Sequence, residues 1–412
     1  MNTRMKPRMN FRWLQFAWRN TLRNRRRSAV TVTIAALGTA AILLAGGFAI
    51  FTYESLAQAS ARTTGHLIVA KPEQFSKDED VPLQHGLDDA DALRTKLMAD
   101  DHVRQVLPRV EFSGLISNGD KSTVMVAAGI DPDAEFAVKG PFLKVSAGEV
   151  LSSAERMQVM LGSGLAKSLK AEPGASLTLM ASTADGALNA LDVTVKGVFS
   201  TGIPDVDKRL VYTDVATAQK LLGSPRVSSL GVFLDRMEAT APMQQTVARL
   251  LPQMQVQTWV DQAVFYRSVK DLYNRIFGAL GLIIGVIVVF VVTNAMAMAI
   301  IERTREIGTL RAMGTLPSQL VTSFALEGLV LGGVGAVLGA LVSLAISVAL
   351  MLFPVQMPPP PGRSDGYPLN VAVDPTLYAG TLLVMLALAM LASAWVARRT
   401  VHQPIVDALA HT

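Results

Sequence analysis

Five charged residues fall within the first ten positions of ERTREIGTLRAMGTLPSQL, residues 302–320: Glu302, Arg303, Arg305, Glu306 and Arg311. Acids and guanidinium groups interleaved in this way suit docking rather than bond-making, because no nucleophile stands beside them to be activated. Ile307, Leu310 and Met313 recur every three residues and give the segment the apolar stripe of an amphipathic helix. Gly314 suits its C-terminal cap, and Pro317 suits the first turn of a following helix. A loop that only joined two segments would need neither paired acids, nor a stripe, nor a defined stop. A protein partner is the expected use.

Other chemistry finds little support. GSGLAKS, residues 162–168, superficially resembles a phosphate-binding loop. That loop needs GxxxxGK[ST], with glycine directly before lysine so that backbone N–H groups wrap the phosphate. Here Leu165 and Ala166 intervene, and a turn before a helix is expected. The five histidines (His66, His85, His102, His402, His411) show no ligand spacing, and the chain has no cysteine. Neither a metal site nor a disulfide is expected. No nucleophile–base pair suggests an enzyme.

The elements that hold the 302–320 segment are long and apolar. Half of the 412 residues are hydrophobic and only 17% are charged, against about 25% in soluble domains. A bilayer core of about 30 Å takes about 20 apolar residues as a helix. Four uncharged runs meet that length: Ser28–Tyr53, Ile276–Ile301, Gly328–Gly362 and Pro375–Ala397. The third ends in a proline-rich tail after Phe353, with a short polyproline spacer at Pro358–Pro361. The first run, 26 residues long and bulky to its end, is too long for a cleaved signal h-region of about 7–15 residues. It reads as a retained anchor.

Nine Arg and Lys and no acid precede the first run, which places that end in the cytoplasm. The 302–319 crossover and the tail from Arg398 then share that side. FRWLQFAWRNTLRN, residues 11–24, reads as an amphipathic helix on the inner leaflet. Residues 54–275 carry 27 acids and 23 bases, so a net charge of +5 hides a basic inner face and a mildly acidic outer domain. The basic end adjoins a span, so anionic lipid is its expected partner and nucleic acid is not.

The expected fold is an α-helical membrane protein with four transmembrane helices and a large α+β periplasmic domain. That domain, residues 54–260, reads as a split βαβ subdomain with a small β subdomain inserted at about 146–213. A stalk helix over 261–275 would lead into the second span at 276–301. The charged crossover at 302–319, a third span at 320–353, an outer loop at 354–374 and a fourth span at 375–397 complete the order, with a cytoplasmic tail at 398–412. Gly281 and Gly285 in the second span, and Gly328, Gly332, Gly335 and Gly339 in the third, have the spacing that lets helix backbones approach. A second copy of the chain, or a paralogue, would meet it there. Glu327 is an intramembrane carboxylate, expected to pair with Arg311 or with a cation on a neighbouring helix.

The 302–320 segment, together with RNTLRNRRRSAVTVTIAALG near the start, LGSGLAKSLKAEPGASLTL and VKGVF in the outer domain, and PIVDAL near the end, resembles the FtsX-like permeases of MacB-type ABC transporters. The architecture is similar to that of the lipoprotein-releasing permease subunits, and TTGHLIVAKPEQF has the look of that branch. The resemblance implies a coupling helix that docks on a separate cytosolic ABC ATPase dimer, with Glu302, Arg303, Glu306, Gly308, Arg311 and Gly314 as its motif positions. It implies that ATP is used by that partner, that no cofactor is bound directly, and that the chain sits in a bacterial inner membrane with both termini cytoplasmic. Lipoprotein or lipid extraction by mechanotransmission, with a periplasmic chaperone as acceptor, is the expected function. The alternatives are a drug or peptide efflux permease of a tripartite pump, and a transducer that activates cell-wall hydrolases and moves nothing.

Overall fold

The computed structural model describes residues 25–76, 81–139, 144–358 and 366–401. The amphipathic segment expected over 11–24, the prolines at 359–361 and the PIVDAL motif lie outside those residues. The chain divides into two compact units. One comprises Met1–Tyr53, Val269–Val355 and Pro368–Thr412, and the other Glu54–Ser268 and Gln356–Tyr367.

The first helix, α1 (Arg25–Thr64), carries the first apolar run and continues past Tyr53, through residues polar enough to have been assigned to the outer domain. Gly65 ends it at φ +99°, the left-handed region that favours glycine, with its N–H donated to the Ala61 carbonyl at 2.8 Å.

The outer unit is built on ten strands: β1 (Leu67–Ala70), β2 (Val103–Ser117), β3 (Ser122–Ile130), β4 (Lys144–Gly148), β5 (Gln158–Gly162), β6 (Ser176–Ser182), β7 (Leu188–Ser200), β8 (Leu210–Asp214), β9 (Ser229–Leu234) and β10 (Gln255–Thr258). Their order is β10-β1-β9-β2-β3-β8-β5-β7-β4, with β6 bridging β2 and β7. β1 and β2 precede the inserted strands and β9 and β10 follow them, so the outer half of the sheet is assembled from two distant stretches. The insert begins at β3, earlier than residue 146. β2 joins the two parts because it is long: its first half pairs with β9 and its second half with β3 and β6. Between β2 and β3 the chain turns at Asn118, whose Oδ1 accepts the N–H groups of Asp120 at 3.1 Å and Lys121 at 2.8 Å, beside Gly119 at φ +93°.

A large apolar core runs under this sheet, from Leu67 and Val69 through Val106, Ile116 and Leu161 to Val232 and Val256, and a smaller cluster gathers Ile130, Leu151, Met160, Phe199 and Tyr212. Helix α2 (Val215–Leu222) closes part of it with Ala218, Leu221 and Leu222. Asp214 caps α2, accepting the Thr217 N–H at 2.9 Å, and Gly223 at φ +65° stops it.

Helix α3 (Val264–Glu302) contains the second span and begins three residues later than the expected stalk. The reason is local. The Asp261 carboxylate accepts both the N–H and the hydroxyl of Thr258 at 2.8 Å, closing a separate turn over Trp259–Gln262. Ala263 then leaves helical geometry. Beyond α3 come α4 (Thr304–Ala312), α5 (Pro317–Leu352) and α6 (Pro375–Val401). Among the described residues, four helical stretches are long and apolar enough to cross a membrane: Ser28–Thr64, Tyr266–Glu302, Pro317–Leu352 and Pro375–Arg399. The protein is a multi-pass membrane protein.

Within the membrane unit, Val288, Val292, Met296 and Ile300 recur every four residues on α3 and face the bundle core with Phe324, Leu331, Met385, Ala389 and Val396. The glycines of α5 set its closest approaches. A Cβ at Gly328 would stand 2.5 Å from Ser393 Cβ, and one at Gly332 would collide with Ala389, both on α6. A Cβ at Gly335 would stand 2.6 Å from Ala35 Cβ, and one at Gly339 2.7 Å from Thr39 Cβ, both on α1. This corrects the expectation of a second copy on the third span, because the chain's own α1 and α6 occupy all four positions. Gly281 and Gly285 differ. Among the described residues, nothing lies within 4 Å of a Cβ at Gly281, and only Leu388 Cδ1, at 3.8 Å, approaches one at Gly285.

Candidate functional site

α3 and α4 are parts of nearly continuous chain broken at one residue. Arg303 leaves helical geometry at φ −109°, ψ 13°. Thr304, buried, repairs the break by donating its hydroxyl to the Ile301 carbonyl at 2.8 Å and the Ile300 carbonyl at 3.2 Å. The Ile300 carbonyl also accepts the Arg303 N–H at 3.1 Å, and the hydroxyl adds a second donor to the last turn of α3. At the far end of α4, Gly314 at φ +93° lets its N–H reach the Arg311 carbonyl and the Thr315 N–H reach the Leu310 carbonyl, each at 3.0 Å. This is a two-bond helix stop. Pro317 then opens α5, and Gln319 Oε1 accepts the Leu316 N–H at 3.2 Å.

The apolar stripe read from Ile307, Leu310 and Met313 divides in the fold. Ile307 is 7% exposed and joins the bundle core, whereas Leu310 is 37% and Met313 is 72% exposed. The reason is geometric. At about 100° per residue a step of three falls short of a full turn, so Met313 lies about 120° around the helix from Ile307. The face packed inward follows the i, i+3, i+4, i+7 pattern: Thr304, Ile307 and Gly308 are buried and Arg311 is partly covered. Glu302, Glu306, Leu310, Met313 and Gly314 are exposed. The six motif positions therefore separate into Glu302, Glu306 and Gly314 on the outside and Arg303, Gly308 and Arg311 against the bundle.

Arg303 supplies the neighbouring cation expected beside Glu327. Its Nη1 lies 3.4 Å from Glu327 Oε2, with the two side chains 15% and 7% exposed. Glu327 sits on α5 between Phe324, in the bundle core, and Gly328, pressed against α6. A charge buried there costs several kcal/mol unless it is paired, by order of magnitude, and the residue at the α3–α4 break supplies the pair. The ion pair fixes α4 to α5 independently of the short connection at 313–316.

A second feature lies on the outward side of α3. Gly281, Gly285, Val289, Phe290 and Thr293, with Trp395 of α6, line an apolar groove of about 490 Å³. The glycines form its floor, since they contribute no side chain. Among the described residues, no group of three or more His, Cys, Asp or Glu is arranged to hold a metal ion.

Among the described residues the chain thus combines four apolar helices of membrane length, an α+β unit and a charged helix set between the second and third of those helices. The comparisons agree. The model described as MacB-like periplasmic core domain matches residues 28–250, and that described as FtsX-like permease C-terminal matches residues 278–405. The chain belongs to the FtsX-like permease family with a MacB-like periplasmic core.

Among its relatives, the lipoprotein-releasing system transmembrane protein LolE of Haemophilus influenzae is 25% identical over 63% of this chain and 64% of that protein. LolC of Neisseria meningitidis serogroup B is 28% identical over 56% of this chain and 58% of its own length. The macrolide export ATP-binding/permease protein MacB of Nitrobacter winogradskyi is 28% identical over 83% of this chain and 54% of that protein. The chain thus spans less than two thirds of each of these relatives. Among solved structures, the periplasmic region of MacB from Actinobacillus actinomycetemcomitans aligns over 50% of this chain and 95% of that one, at 16% identity and a TM-score of 0.36.

Proposed function

We propose that the chain is a non-catalytic permease subunit that couples ATP hydrolysis by a separate cytosolic ABC ATPase to movement of the outer domain, and that the cargo is a lipoprotein or lipid extracted from a bacterial inner membrane. The observation that carries this reading is the two-faced α4. It is anchored inward by Ile307 and by the Arg303–Glu327 pair, and it offers Glu302, Glu306, Leu310 and Met313 outward. A helix held this firmly transmits a push to α3 and α5 instead of absorbing it. On this reading α4 and both termini face the cytoplasm, ATP is used only by the partner, and a second permease subunit packs on the α3 groove at Gly281 and Gly285. The LolE and LolC likenesses favour lipoprotein cargo, and a periplasmic chaperone would receive it.

Macrolide export is the second reading, favoured by the MacB likeness over 83% of the chain. Depletion of the protein in its native host, followed by separation of inner and outer membranes, decides between them. Extraction predicts that specific lipidated proteins accumulate in the inner membrane. An unchanged distribution together with increased macrolide susceptibility contradicts extraction and supports export.

A further inference from the structure

The outer unit contains a cleft of about 860 Å³ whose chemistry the coupling mechanism does not use. Its cationic wall is Arg62, Arg104 and Arg236. These come from three separate pieces of chain: the end of α1, the start of β2 and the turn after β9. Phe233, Leu234 and Met237 add apolar surface beside them.

Two features mark this cleft as a built site. The first is backbone. Successive residues of a regular strand face opposite sides, yet Arg104 and Gln105 both line the cleft. The pairing of β2 with β9 shifts register between Val103 and Gln105. Such a bulge redirects side chains, and here it turns a guanidinium and an amide to the same side. The second feature is a pair of unmet acceptors. Gln105 Oε1 and Asp235 Oδ1 are buried with no hydrogen-bond partner among the described residues. Asp235 spends its other oxygen on Arg236 Nε at 3.2 Å and His102 Nδ1 at 3.5 Å. Buried acceptors of this kind each want a donor.

Three guanidinium groups suit a phosphate, which arginine binds by paired N–H donors. Two buried acceptors suit an ammonium that still carries N–H groups. We propose that this cleft binds the headgroup of an aminophospholipid, taking the phosphate on Arg62, Arg104 and Arg236 and the primary ammonium on Gln105 Oε1 and Asp235 Oδ1. The lipid source, as opposed to a soluble phosphate ester, is favoured by the apolar wall. This inference rests on the cleft itself and stands whether or not the cargo is a lipoprotein.

The test uses the full chain in a phospholipid-free detergent, titrated with short-chain phosphatidylethanolamine, phosphatidylcholine, phosphatidylglycerol and free O-phosphoethanolamine. Phosphatidylethanolamine should bind at least about tenfold more tightly than phosphatidylcholine, whose quaternary ammonium has no N–H to give, and than phosphatidylglycerol, which has no ammonium. Arg104→Gln, at an exposed position, should weaken phosphatidylethanolamine binding about tenfold. Gln105→Leu removes an unmet buried acceptor, so it should leave thermal stability unchanged or raised while abolishing the preference over phosphatidylcholine. Equal binding of the three lipids, or no effect of Arg104→Gln, overturns the proposal. Free O-phosphoethanolamine binding as tightly as the lipid overturns its lipid source.

Discussion

The Arg303–Glu327 pair permits a quantitative test of how α4 is held. At 3.4 Å and an effective dielectric of about 20, the attraction is about 5 kcal/mol. Removing two charges from water costs several kcal/mol each, so the pair as a whole contributes close to nothing relative to a well-packed apolar pair. Loss of one partner is different. It strands a charge that is 15% exposed in the case of Arg303, or 7% in the case of Glu327, at a cost of about 3 kcal/mol, the lower end for a buried pair with one long contact. Arg303→Met and Glu327→Met should therefore each destabilise the chain strongly. The double substitution should recover most of that loss, so that its cost falls about 4–5 kcal/mol short of the sum of the two single losses in a double-mutant cycle. The assay is equilibrium unfolding of the purified chain in mixed micelles, with ATP hydrolysis by the assembled transporter measured on the same variants. Hydrolysis should stay impaired in the double variant if the pair transmits force as well as anchoring α4. Additive losses, or single variants as stable as the parent, would refute the reasoning.

Other outcomes follow from the packing and the charges. Gly335→Val places a Cβ 2.6 Å from Ala35 Cβ and 2.9 Å from the Val32 carbonyl oxygen, and should cost at least about 1–3 kcal/mol in the thermal or chemical unfolding of the chain. Gly281→Val meets nothing within 4 Å among the described residues and should leave the fold intact while reducing association with the second permease subunit, read by crosslinking or mass. His66 accepts the Leu234 N–H through Nδ1 at 3.2 Å. Burial pushes the His66 pKa below its ordinary 6.5, with nearby Arg62 adding to the effect and Asp235 opposing it. The unfolded chain therefore takes up that proton first, and stability falls as the pH drops from 6.5 toward the folded-state pKa. The slope from this residue is at most about 1.4 kcal/mol per pH unit. His66→Asn should flatten that part of a stability–pH curve, and an unchanged curve would assign the slope elsewhere.

Some of this was readable in the residues and some was not, for identifiable reasons. The four spans were legible because each is an uncharged run of membrane length. The end of α1 was not, because TYESLAQASARTT is polar and yet continues a helix already started. Asp261 read as part of a stalk because its residue type allows it. Only the bond to Thr258 shows that it closes a separate turn. The helix at 304–312 was legible in its residue types and its stop at Gly314. Its stripe was read as one exposed face, but a three-residue repeat drifts around a helix, so Ile307 packs inward with Thr304 and Gly308 while Leu310 and Met313 stay exposed. The glycines of α5 announced close approach, but small spacing says that a helix comes near and not whose helix it is. Glu327 announced a partner, and the partner is 24 residues away in sequence. The basic cleft was invisible because its arginines are scattered and a bulge brings Arg104 and Gln105 to one side.

The central claim is that a separate ATPase drives this chain through the outward face of α4. The most direct test is to assemble the permease with its cognate ATPase and compare ATP hydrolysis and co-purification for the parent and for Glu302→Lys/Glu306→Lys. Both positions are exposed, so the fold should survive, as an unchanged unfolding temperature would show. The account predicts loss of co-purification, or hydrolysis reduced to the level of the free ATPase. An intact complex hydrolysing ATP at the parent rate would contradict it.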